Sequence, residues 1–133
     1  MSTRPESIIP SSQRAVAEQN GYSPAIRLGG QLIVSGQIGV DAEGVAIPDP
    51  EGQIVAAFDA LGEVLAEAGM GFSDIVELKT YHTEFETLGL FLEVKARYIT
   101  GPVFPAWTIL GVALAAPGSI IEIGAIAYRP EEG

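Results

Sequence analysis

Glu122 has the most chemically suggestive setting in this chain. It is the one charged residue in the run Ile120–Ala127, IIEIGAIA. Burial there disfavours charge and suits a carboxyl to general acid or base work. The competing use is a structural carboxylate bonded to backbone amides at a subunit contact. Trp107 follows Pro105-Ala106 at the start of a strand-like run. Its flat indole suits stacking on an aromatic, heterocyclic or cationic ligand, or else it fills core or interface space. Tyr22, beside Pro24, carries an O–H for a cleft edge, or is a turn aromatic. Ser35 in Val34-Ser-Gly-Gln37 lies outside any G-x-S-x-G elbow. Its expected role is to present backbone donors next to Gly36. His82 is the only histidine, among Thr80, Tyr81 and Thr83. It reads as a hydrogen-bonded structural residue.

Other chemistries fall away. The chain has no Cys and one His, so disulfides, thiolate metal sites and the His/Cys/Cys zinc set of deaminases are excluded. Asp41-Ala-Glu43-Gly44 lacks the EF-hand pattern and reads as a turn. Neither G-x-G-x-x-G nor G-x-x-x-x-G-K-[ST] occurs, so dinucleotide and P-loop readings lack support. No metal and no cofactor is expected. With 7 Lys plus Arg against 17 Asp plus Glu, the net charge is −10. That charge repels phosphate backbones and argues against nucleic-acid binding. Pro105, Pro117 and Glu122 interrupt the longest apolar tract, so no membrane span is expected. The first residues, MSTRPESIIPSSQRAVAEQ, show no apolar h-region, and a cytoplasmic protein is the expectation.

The elements that must position these residues follow from length and periodicity. A chain of 133 residues, 47% apolar and 18% charged, is read as one domain over residues 1–133 with a packed core. Residues 1–21 are polar and read as an N-terminal arm. Ala25–Gly36 reads as a hairpin turning at Gly29-Gly30, and 37–50 as a loop. Ile54, Phe58, Leu61, Leu65 and Ala68 recur at +4, +3, +4, +3, which predicts a helix over Glu51–Ala68. Phe72–Thr83 reads as a strand and Glu86–Ile99 as a second helix. Ala106–Ala113 and Ser119–Arg129 read as two closing strands. The order is β-β-α-β-α-β-β, an α+β fold with two helices on one face of a sheet. Both faces of the last strand are mostly apolar, so the face left open by the helices should meet another copy. Arg97 falls near the end of the second helix, where the dipole favours a cation. Arg27 reads as a surface residue.

Four stretches resemble the Rid/YjgF family, also called the endoribonuclease L-PSP family. They are Tyr22-Ser-Pro-Ala-Ile-Arg27, Val34-Ser-Gly-Gln-Ile38, Phe104-Pro-Ala106 and Ile121-Glu-Ile-Gly-Ala-Ile-Ala127. The resemblance implies a chorismate-mutase-like subunit and a homotrimer with small-molecule clefts between subunits. It implies metal-free, cofactor-free hydrolysis of 2-imino or enamine acids. Tyr22, Ser35, Gly36 and Glu122 fall at family site positions, with Glu122 placing water and the Ile109 carbonyl helping to hold it. The family's carboxylate-clamping Arg is Trp107 here, and its helix Asn is missing, since Asn20 is the only Asn. A guanidinium forks onto a carboxylate, whereas an indole offers one N–H and no charge. The expected shift is away from anionic substrates and toward neutral or cationic ones. A non-catalytic metabolite-binding trimer is the alternative reading, and RNA cleavage the weakest.

Overall fold

The computed structural model describes residues 4–131. Its nine principal elements are β1 (Glu6–Ile8), α1 (Arg14–Asn20), β2 (Ala25–Leu28), β3 (Gln31–Gln37), α2 (Pro50–Glu67), β4 (Ile75–His82), α3 (Leu88–Tyr98), β5 (Ala106–Gly111) and β6 (Ile121–Tyr128). The described part of the segment read as an arm is more structured than its composition implied. β1 pairs with β2, and the Ala17 side chain of α1 is buried. Gln13 Nε2 donates to Gln37 Oε1 at 2.9 Å, and Ser12 donates to Glu63 of α2. Polar residues here serve as tethers rather than as solvated chain. Residues 1–3 of that arm lie outside the described residues.

The remaining order is the one that periodicity predicts, with the ends of most elements shifted by one or more residues. Asp49 caps α2 by accepting from the Gly52 amide at 2.8 Å, and Pro50 enters at the first turn. Gly69, at φ 74°, takes the left-handed position that ends the helix. A 3₁₀ turn at Phe72–Asp74 precedes β4, and another at Phe85–Thr87 precedes α3.

One sheet runs β1-β2-β3-β6-β4-β5. All neighbours are antiparallel except β4 and β5, which α3 connects as a crossover. Ile54, Phe58, Leu61 and Leu65 of α2 and Phe91 and Val94 of α3 are buried against one sheet face. That face supplies Leu32, Val34, Leu78, Ile121 and Ile123. Among the described residues no element covers the opposite face. Ile33 is 44% exposed and Tyr128 51% exposed there, with Ile26 and Ile126 half-buried between them. The architecture is the expected α+β subunit, a mixed sheet with α2 and α3 on one side.

Candidate functional site

Glu122 sits near the centre of the sheet on the open face. It pairs with Tyr81 of β4, while its neighbours Ile121 and Ile123 turn into the core. On its other side β3 breaks register between Val34 and Gln37, so Ser35 and Gly36 bulge where Glu122 needs room. A Cβ built on Gly36 would overlap Glu122 Oε2 and lie 2.6 Å from its Cδ and 2.8 Å from its Cγ. The glycine is therefore a seat for the carboxyl. Ser35 Oγ donates to the Ser23 carbonyl at 2.7 Å, and the Ser35 amide to the Pro24 carbonyl at 2.9 Å. These bonds tie the bulge to the turn that carries Tyr22, which is 43% exposed. Tyr22, Ser35, Gly36 and Glu122 thus belong to one neighbourhood.

Trp107 and Ile109 belong to another. Trp107 pairs with Leu78 and Ile109 with Thr80, so both side chains point to the helix face. The indole is half-buried, and its Nε1 donates to Thr80 Oγ1 at 2.9 Å. Lys95 Nζ lies 4.6 Å from the indole centroid, and the Phe91 ring lies 6.0 Å away. Beyond Phe91 is His82, whose ring meets it edge to face at 4.8 Å. His82 Nε2 is 2.8 Å from Thr80 Oγ1. Desolvation holds the His82 pKa below its ordinary value of 6.5.

The ends of β4 and β5 open onto a cavity of about 220 Å³. Its walls include His82, Glu84, Phe85, Leu88, Ile109 and Val112. Of the residues singled out from sequence, Ile109 and His82 line it and the Glu122 neighbourhood does not. His82, read from sequence as a hydrogen-bonded structural residue, is bonded to Thr80, whereas the parts played by Thr80 and Lys95 were not read from sequence. Thr80 and His82 share a strand face at i and i+2, and Lys95 stands four residues after the buried Phe91 on α3. Strand alternation and helix spacing were the signals available for them. Arg27 and Arg97 lie elsewhere. Arg27 donates to the Ala68 carbonyl at 2.6 Å and pairs with Glu6, and Arg97 pairs with Glu51. Among the described residues no cluster of three His, Asp or Glu side chains is placed to hold a metal. No described helix is long and apolar enough to cross a membrane.

Comparison with known proteins agrees with this architecture. The profile of the family described as Endoribonuclease L-PSP matches residues 12–129. The chain is 37% identical over 129 residues to the RutC family protein YjgH of Escherichia coli, covering 94% of this chain and 95% of that protein. The solved structure of protein YjgH superposes with a TM-score of 0.87 over 96% of this chain and 98% of that one. Rat 2-iminobutanoate/2-iminopropanoate deaminase is 34% identical over 121 residues, covering 90% of this chain and 88% of that protein. Rv2704 of Mycobacterium tuberculosis, described as a member of the YjgF/YER057c/UK114 family, is 28% identical with a TM-score of 0.79, covering 95% of this chain and all of that one. With the fold, the Glu122 strand and a match over nearly the whole sequence, the chain belongs to the Endoribonuclease L-PSP, or Rid/YjgF, family.

Proposed function

We propose that this protein is a homotrimer with small-molecule clefts between subunits, and that it hydrolyses the C=N bond of small imine or enamine metabolites. The observation that carries this reading is the split of the candidate residues. Glu122, Tyr22, Ser35 and Gly36 occupy one region, and Ile109 and Trp107 face the other side of the sheet. One chain leaves them apart, and a neighbouring copy seated on the open face is the arrangement that joins them. The apolar side chains on that face favour such a copy.

In the reaction Glu122 takes a proton from water as the oxygen adds to the imine carbon, and the nitrogen gains a proton. The Ile109 carbonyl accepts a hydrogen bond from that water. The proton on nitrogen is the one Glu122 took from water; Glu122 then removes the hydroxyl proton of the tetrahedral adduct and hands it to the departing ammonia, leaving a carbonyl compound. The balance is imine plus water to carbonyl plus ammonia, with no redox change and no call for a metal or a cofactor. The names of the mammalian relatives support the reaction class. Trp107 sets the substrate class. No guanidinium fork stands at its position to grip a carboxylate, and the Lys95 ammonium is engaged over the indole, where it closes the ring face to other cations. Neutral substrates are therefore preferred to carboxylates and to cations.

The test is ammonia release from freshly generated imines, neutral and carboxylate, with Glu122→Gln as control. Acceleration by the native protein and a loss of roughly a hundred-fold in the variant are expected. No acceleration of any imine would leave the second reading, a metabolite-binding trimer without turnover. The indole at the clamp position favours that alternative, because an oriented charge contact is worth on the order of a hundred-fold in rate.

A further inference from the structure

Three side chains form a chain of hydrogen bonds that leads into the cavity. The Trp107 indole can only donate, and it donates to Thr80 Oγ1 at 2.9 Å. Thr80 is fully buried. Its hydroxyl proton has one acceptor among the described residues, His82 Nε2 at 2.8 Å. Leaving that proton unpaired would cost the desolvation of a buried donor. The order of donation is therefore Trp107 to Thr80 to His82. Nε2 accepts, so the proton of the neutral imidazole is on Nδ1.

Nδ1 has no protein partner among the described residues. It is not sealed either, since Ser119 Oγ is the one buried side-chain polar atom among them without a partner. His82 is otherwise buried at 6% exposure, and the open space it lines is the cavity of about 220 Å³. The surrounding walls are Phe85, Leu88, Ile109 and Val112, with Glu84 the one charged residue. A donor among apolar walls, beside a carboxylate, fits a small uncharged guest with an acceptor atom such as a carbonyl oxygen or an imine nitrogen.

We propose that His82 is a ligand-contacting, specificity-determining residue, donating from Nδ1–H to a neutral acceptor, and that Trp107 positions it through Thr80. This deepens the reading of the cavity as part of the cleft and rests on it. The hydrogen-bond order stands by itself. On this view the indole acts on the ligand indirectly, by fixing the direction of a neutral donor.

His82 is the only histidine, so ¹⁵N-histidine labelling of the full-length protein reports one ring. Its nitrogen shifts should show the Nδ1–H tautomer. In Trp107→Phe, which removes the indole donor, the Nε2–H form should gain population. A wild-type ring in the Nε2–H form, or an unchanged ratio in the variant, overturns the positioning role. Titration with 2-pyrrolidinone, a neutral carbonyl probe, should move the Nδ1 signal with the Gly111 and Val112 amides, and pyruvate should not. His82→Phe should weaken the lactam by about ten-fold while leaving the fold intact by circular dichroism. Equal affinity in that variant, or tighter binding of pyruvate, overturns the ligand contact alone. Absence of any Gly111 or Val112 response to either probe overturns the cleft reading itself.

Discussion

The Trp107 indole and the Glu122 carboxyl lie on opposite faces of one sheet. Trp107 pairs with Leu78 and Glu122 with Tyr81, an odd separation along β4 that places them on different sides. Under the proposed trimer, chemistry using both neighbourhoods crosses a subunit boundary. A charge on the open face should break the assembly and the site together. Ile33→Glu is the sharpest choice, because Ile33 is 44% exposed in the lone chain and lies opposite Ile126. Light scattering after gel filtration should give three chain masses for the native protein and one for the variant, with turnover lost in step. Full activity in a monomeric variant would show that one chain suffices.

Gly36→Ala isolates the seat of Glu122. The added methyl would overlap the carboxyl group and crowd Cγ, 2.8 Å away. Glu122 must leave its position, yet no backbone atom is among the atoms nearest that methyl. Stability should fall by about 1–2 kcal/mol, while turnover should fall at least ten-fold. Urea denaturation and the ammonia assay check the two separately. A variant that is unstable but fully active per folded molecule would make Gly36 a packing residue only.

These two sites also show what could be read from sequence. The α2 face, the Gly29-Gly30 turn and the alternation along β6 were legible because each depends on local period and turn chemistry. The β1 strand and α1 were not, since both are short, polar and held by tethers such as Gln13 to Gln37 that no local pattern marks. Glu122 was visible as a lone charge among apolar residues. His82 looked structural because its cavity exists only once β4, β5 and the turn before α3 come together. Lys95 was hidden in a run of ordinary helix formers, and only the packing of α3 on the sheet sets it over Trp107.

Acid should destabilise the protein through His82. Burial lowers its folded-state pKa below 6.5, so the unfolded chain binds this proton first as pH falls. The stability that neutral His82 allows is complete above the unfolded value. It declines as pH drops below about 6.5 and levels off below the folded value. Protonation also puts a second proton on the bond to Thr80, which already accepts from Trp107. Charges in the surroundings are Glu84 at the cavity and Lys95 above Trp107. The measurement is the difference in urea-unfolding free energy between native protein and His82→Phe from pH 8 to pH 5. That difference should shift against the native protein as pH falls. A pH-independent difference would mean that His82 titrates alike in both states.

Placing a guanidinium at position 107 should help anionic substrates only after Lys95 is dealt with. In Trp107→Arg the Thr80 hydroxyl loses its indole donor, and the new charge arrives where Lys95 Nζ now lies 4.6 Å from the ring centroid. Two like charges at such a distance repel by about 3–4 kcal/mol at an effective dielectric of about 20. Lys95 is only half-buried, so it can swing outward and recover much of that. The single variant should therefore be less stable by about 2 kcal/mol and gain modestly in 2-iminopropanoate hydrolysis. Adding Lys95→Gln should return about 1 kcal/mol of stability beyond the sum of the separate effects, and the gain in hydrolysis should grow. Thermal denaturation and initial rates on all four proteins form the double-mutant cycle. Additive stabilities would show that Lys95 does not confront the guanidinium. A double variant that still fails on 2-iminopropanoate would place the limit on carboxylates elsewhere than at position 107.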